Sequence, residues 1–255
     1  MKKDIKCFQT KSVIIGEGTP KVCMPMVGKT EKDLMANLDE VFVLKPDVVE
    51  WRADHYQGVE VASNLLAMLK KISQTMPDIP LLFTCRDVSE GGFAKILPKE
   101  RAKLIEQVID TGMIDLLDIE LEAAKNGLDY LIPLAKKNDI GVVLSNHFFT
   151  KTPPCQEIVE ILRAEQSMGA DIAKIAVMPN SSEDVLSLLT ATHQMHTQYA
   201  EIPLITMSMG QLGLASRVCG GVFGNALTFG AGRNTSAPGQ IGIKELRNSL
   251  TLFHS

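Results

Sequence analysis

Lys174 stands in the middle of Ala170-Asp171-Ile172-Ala173-Lys174-Ile175-Ala176-Val177, a largely apolar run. Burial strips an ammonium of its hydration and favours the neutral amine, the form that attacks a ketone to make an imine. The alternative is a strand with one wet face, shared by Ile172, Lys174 and Ala176. His147 brings a second reactive type, since an imidazole titrates near neutrality and can take a proton from carbon. Glu50 and Glu90 are carboxylates in the same kind of setting. Arg52, Arg86 and Arg217 suit a substrate carboxylate through paired hydrogen bonds. Together these types specify a carboxylated keto substrate that loses a proton beside its carbonyl. Arginines close to Lys174 would also favour its uncharged form.

The elements around these residues bring them to one place. Short apolar stretches rich in β-branched residues alternate with segments of helical spacing. They include Lys21 to Val27, Asp47 to Arg52, Pro80 to Cys85, Met113 to Ile119, Ile140 to Ser145, Asp171 to Val177 and Pro203 to Met207. A last strand is expected within Gly221 to Phe229. Between them, Val61, Leu65, Met68 and Ile72 fall on one helical face, and Thr30 with Asp33 reads as a capping box. Helices are also expected over Glu122–Lys137, Ser181–Tyr199, Gln211–Val218 and Gly242–Leu250. Ile5 to Thr10 and Ser12 to Gly16 read as a short hairpin ahead of the series. Eight strands alternating with helices in 255 residues favour a single α/β domain over 1–255, a (β/α)8 TIM barrel with a short N-terminal β-hairpin.

In such a barrel the carboxyl ends of the strands line the active site. Glu50, Arg52, Arg86, Glu90, Glu120, His147 and Lys174 all fall at or just after those ends. Met207 and Met209 read as pocket lining, Glu120 as a structural partner for a cation, and His193 and His196 as surface residues. The connection from Thr228 to Ile241, with Ser236 and Gln240, is a candidate lid over the barrel mouth.

Composition excludes several classes. The net charge of −4 gives no electrostatic reason to expect nucleic acid or an acidic membrane surface. No apolar run reaches the ~18 residues of a spanning helix, and the first residues lack the apolar stretch of a signal peptide. Five scattered cysteines without CxxC spacing suit free thiols in a reducing cytoplasm, and argue against a disulfide framework or a zinc site.

The chain resembles type I 3-dehydroquinate dehydratase, the imine-forming class of that shikimate-pathway enzyme. The matching stretches are Glu50-Trp51-Arg52-Ala53-Asp54, the pattern Ser-x-His-x-Phe-x-x-Thr-Pro from Ser145 to Pro153, and Ala173-Lys174-Ile175-Ala176. Met207-Ser208-Met209-Gly210, Ser216-Arg217 and Ser236-Ala237-Pro238-Gly239-Gln240-Ile241 continue them in the family's order. Phe148 stands after His147, where many members carry an acidic residue.

The resemblance implies dehydration of 3-dehydroquinate to 3-dehydroshikimate. It makes Lys174 the imine former, His147 the general base and acid, and Glu90 the group that orients His147. It gives Arg217 the substrate carboxylate and Glu50, Arg52 and Arg86 the ring hydroxyls, with Ser236 and Gln240 on the closing loop. It implies no metal, nucleotide or organic cofactor, and a homodimer. An imine-forming aldolase on the same fold is the alternative. Such enzymes commonly carry a phosphate-binding loop after the last strands, and Ser236-Ala237-Pro238-Gly239-Gln240 has no basic residue. A non-catalytic ligand-binding barrel is a third reading, opposed by lysine, histidine and Glu90 occurring together.

Overall fold

The computed structural model describes residues 5–232 and 239–253. Two short strands, β1 (Phe8–Thr10) and β2 (Val13–Ile15), pair antiparallel as the expected hairpin. Eight parallel strands follow: β3 (Lys21–Met26), β4 (Val48–Arg52), β5 (Leu81–Thr84), β6 (Leu116–Glu120), β7 (Gly141–Phe148), β8 (Ile172–Val177), β9 (Leu204–Ser208) and β10 (Leu227–Phe229). Their hydrogen-bonded order is β10-β3-β4-β5-β6-β7-β8-β9. The seam between β9 and β10 is held by a single bridge, Leu204 to Asn225. There Ala226 N–H donates to Leu204 O, and Thr206 N–H donates to Asn225 Oδ1, both at 2.8 Å. An asparagine side chain thus does a strand's work in a nearly closed (β/α)8 barrel, the fold class expected from sequence.

The connecting helices are α1 (Glu31–Leu44), α2 (Ala62–Thr75), α3 (Pro98–Asp110), α4 (Leu121–Ala123), α5 (Leu131–Lys137), α6 (Cys155–Ser167), α7 (Ser182–Gln194), α8 (Leu214–Cys219) and α9 (Ile243–Phe253). Thr30 and Asp33 close the predicted capping box of α1. On α2 the buried face is Leu65, Met68, Leu69 and Ile72. The helix expected over Glu122–Lys137 breaks at Gly127, whose φ of 99° no right-handed helix accommodates. The last strand is shorter than expected, because Gly220–Phe223 coils into a helical turn and Gly224 reverses the chain at φ 109°.

Strand alternation sorts the core into two. Trp51, Phe83, Ile119 and Leu144 face outward against the helices. One residue from each strand faces inward to close the barrel floor: Cys23, Val48, Leu82, Leu116, Val143, Ile172, Ile205 and Leu227. Ile15, Phe8 and Val13 of the hairpin pack into the same cluster, so the hairpin plugs the floor. Among the described residues, no helix is long and apolar enough to cross a membrane.

Candidate active site

Because side chains alternate along a strand, the floor fixes what stands above it. Two residues beyond the floor come Glu50, Thr84, Asp118, Ser145, Lys174, Met207 and Phe229. Two further on come Arg52, Arg86, Glu120, His147, Ala176 and Met209. The face shared by Ile172, Lys174 and Ala176 is therefore the barrel interior, and Lys174 is only 3% exposed. The wet-face alternative for this strand is ruled out.

Lys174 Nζ lies 2.8 Å from Asp118 Oδ2, 3.6 Å from Glu50 Oε1 and 5.0 Å from the centre of the Phe229 ring. The expectation of arginines beside the lysine needs correcting. Carboxylates and a ring touch Nζ, while Arg86 reaches it only through Asp118. Thr84 Oγ1 donates to Glu50 Oε1 at 2.9 Å, which fixes that carboxylate. Asp118 Oδ1 accepts from Ser145 Oγ at 2.6 Å and pairs with Arg86 Nη2 at 2.8 Å. Burial alone would raise the Asp118 carboxyl, but Arg86 and Lys174 outweigh it and hold the group far below the usual range.

Both candidate substrate arginines on β4 and after β5 are committed to protein carboxylates. Arg52 forks onto Asp54 at 2.9 and 2.8 Å. Arg86 Nη1 donates to Glu120 Oε1 and Ser145 Oγ, each at 2.9 Å. Arg101 Nη1 donates to Glu120 Oε2 at 2.8 Å, so Glu120 bridges two guanidinium groups, as its structural reading required. Asp54 also accepts the backbone N–H of Phe93 at 3.0 Å, tying down the loop that carries Glu90.

His147 Nδ1 sits 2.9 Å from Glu90 Oε2. Burial, Arg86 and Lys174 push the imidazole well below its ordinary value, which favours the neutral ring. Burial raises Glu90 to about 8 against the pull of Arg86. A neutral imidazole next to a displaced carboxyl is an arrangement that can move one proton.

Glu50, Arg52, Arg86, Glu90, His147, Lys174 and Gln240 line one cavity together with Phe149, Ala176, Met207, Met209 and Phe229. Met207 and Met209 thus line the pocket as read from sequence. Arg217 lies on α8, buried, with Nη1 3.6 Å from Met207 Sδ, and burial lowers it to about 10. Among the described residues, it is not part of that cavity's lining. Ser236 and the middle of the candidate lid fall outside the described residues. His193 is exposed and His196 half-buried on the outer helical layer, and no group of metal-binding side chains occurs among the described residues.

Asp118 was visible as a charge in the apolar strand Leu116-Leu117-Asp118-Ile119, but its contact with Lys174 spans 56 residues. Glu165, fully buried on α6, was missed because a helix residue gave no sign of reaching a strand backbone. Phe229 was likewise too ordinary in type to single out.

Residues 22–255 match the family model for type I 3-dehydroquinase. The chain belongs to the type I 3-dehydroquinase family. The 3-dehydroquinate dehydratase of Clostridioides difficile is 45% identical over 246 residues, 96% of each chain. That of Bacillus subtilis is 46% identical over 244 residues, again 96% of each. A solved type I 3-dehydroquinate dehydratase from C. difficile superposes with a TM-score of 0.95 at 44% identity, covering 98% of this chain and 99% of that one. Membership in the type I 3-dehydroquinase family makes the chain a carbon–oxygen lyase of the 3-dehydroquinate dehydratase class, a step of the shikimate pathway. It leaves the aldolase and binding-barrel alternatives without support.

Proposed function

We propose that the chain removes water from 3-dehydroquinate through an imine on Lys174. Nζ of the amine attacks the ring ketone, and the carbinolamine loses water to give the protonated imine. His147 takes a proton from the adjacent ring carbon, and the electron pair flows into the imine to give an enamine. As the pair returns, the hydroxyl leaves as water, taking its proton from the imidazolium. Water then hydrolyses the imine, releasing 3-dehydroshikimate and restoring the amine.

The observation that carries this reading is a buried lysine sharing one cavity with a histidine that lies 2.9 Å from Glu90. Asp118 and Glu50 beside Nζ stabilise the cationic imine, which is positive where the ammonium was. Glu90 holds His147 through Nδ1, which leaves Nε2 as the working nitrogen. Arg217 is assigned the substrate carboxylate; Glu50, Arg52 and Arg86 are assigned the ring hydroxyls. Ser236 and Gln240 are assigned to a loop that closes over the substrate and excludes water. The solved relative from C. difficile carries covalently modified comenic acid, in keeping with covalent chemistry in the family. The imine supplies the electron sink, so the reading requires no metal or organic cofactor. A homodimer in a reducing cytoplasm is the proposed setting, and five free cysteines support the reducing compartment.

Borohydride reduction in the presence of 3-dehydroquinate, followed by peptide mass mapping, tests the reading. It expects one reduced adduct, on Lys174. An active, substrate-binding protein that yields no adduct would remove the imine and leave direct acid–base elimination.

A further inference from the structure

Glu165 occupies a position where the helix pattern calls for an apolar residue. On α6 the buried face runs Ile158, Val159, Leu162, Glu165, and the acid is as buried as its neighbours. Burial raises its carboxyl well above the usual range. Burying a carboxyl is costly, and an apolar side chain would avoid that cost.

Its contacts are aimed at one stretch of chain. Glu165 Oε2 accepts the backbone N–H of Lys174 at 2.9 Å. Its own backbone carbonyl accepts Ala170 N–H at 3.2 Å. Between these points, Asp171 is tied to β7: Asp171 N–H donates to Val142 O at 2.8 Å, and Val142 N–H donates to Asp171 Oδ2 at 2.9 Å. Glu165 Oε1 meets no partner among the described residues, so half of the carboxyl earns nothing from hydrogen bonding. The bond to Lys174 is what distinguishes this side chain from a plain core residue.

We infer that Glu165 is a positioning residue, whose carboxyl oxygen holds the backbone of Lys174 and thereby sets where Nζ stands between Asp118 and Glu50. The inference rests on the imine reading of Lys174. Imine formation needs Nζ within attack distance of a carbonyl carbon at the correct angle, and a misplacement of about 1 Å costs on the order of 10²-fold. A glutamine keeps an oxygen at the same reach and loses the acid. An aspartate keeps the acid and loses the reach. A methionine matches the length and removes the acceptor.

The experiment compares Glu165→Gln, Glu165→Asp and Glu165→Met in the full chain by rapid-quench borohydride trapping with 3-dehydroquinate, alongside kcat, KM and thermal melting. Glu165→Gln is expected to form the Lys174 adduct within about twofold of the parent rate. Glu165→Asp and Glu165→Met are expected to form it about 10- to 100-fold more slowly, with KM little changed. Melting reports folding separately, and the shorter acid keeps the comparison open should the methionine variant fail to fold. Parent-like trapping rates in Glu165→Asp and Glu165→Met would overturn the inference alone, as would a glutamine variant as slow as the other two. A parent protein that gives no adduct would take down the imine reading and this inference with it.

Discussion

Asp118 Oδ2 lies 2.8 Å from Lys174 Nζ, while Oδ1 of the same carboxylate pairs with Arg86 Nη2 at 2.8 Å. One buried anion therefore serves two buried cations. Removing one partner of a buried pair leaves charge uncompensated, which costs about 3–5 kcal/mol. Asp118→Asn is expected to lose stability on that scale in urea unfolding. Adding Lys174→Met should restore part of the loss, because one of the two cations that shared Asp118 disappears. Equal stability in parent and single variant would refute the shared-anion account.

Lys174→Ala is expected to lower kcat by on the order of 10³- to 10⁶-fold, the range seen when a covalent nucleophile is deleted. Steady-state assay with 3-dehydroquinate reads it directly. Turnover within tenfold of the parent is the outcome incompatible with an imine on this residue.

His147→Ala separates the two chemical roles. Lys174 remains to form the imine, while proton abstraction loses about 10²–10⁴-fold. Borohydride should then trap more adduct per site than in the parent at steady state. If the variant traps none despite binding substrate, His147 is needed for imine formation as well.

Glu90 links the site to pH. Its folded value, about 8, lies above the ordinary carboxyl value near 4.3 of an unfolded chain. Below the unfolded value both states hold the proton and there is no penalty. As pH rises toward 8, only the unfolded chain ionises, so this group lowers stability progressively across that window. Glu90→Gln is accordingly expected to raise Tm at pH 7 and to leave it unchanged at pH 4. The same Tm difference at both pH values would contradict this linkage.

Asp54 and Asp118 work in the opposite direction. Burial would raise each, but Arg52 for Asp54, and Arg86 with Lys174 for Asp118, hold them below their ordinary values. Their stabilisation is complete above the unfolded value near 3.9 and fades as pH falls below it. Acid titration followed by circular dichroism should show unfolding beginning below about pH 4. Asp54→Asn should flatten that limb, and an unaltered acid profile in this variant would exclude Asp54 as a contributor.

Gly141 opens β7 directly above the hairpin plug, where an added Cβ would enter the ring of Phe8. Gly141→Ala is expected to cost about 1–3 kcal/mol by overpacking. Phe8→Val in the same chain should recover part of it, as read by thermal melting. Equal losses with and without Phe8 would place the cost elsewhere.

The alternation of short apolar strands with helices was enough to specify the barrel, its direction and the end at which chemistry collects. Those properties depend on side-chain period and segment length, which are local. The Thr30–Asp33 capping box and the common face of Ile172, Lys174 and Ala176 are legible for the same reason, while the direction of that face was not. Boundaries failed where a glycine changed the local geometry, at Gly127 and Gly224.

What the sequence by itself determined is the set of reactive residues and their strand ends. Which of them touch was decided only by tertiary structure. Lys174 was expected beside arginines and instead meets Asp118 from two strands away. Arg52 takes Asp54, a rim partner its sequence neighbourhood offered, whereas Arg86 takes Asp118 and Glu120 from the next strand. Glu165 gave no signal, since its role is a bond from a helix side chain to a strand backbone. Strand curvature and barrel closure set such pairings, bringing residues tens of positions apart within hydrogen-bond distance. No spacing rule along the chain encodes that geometry.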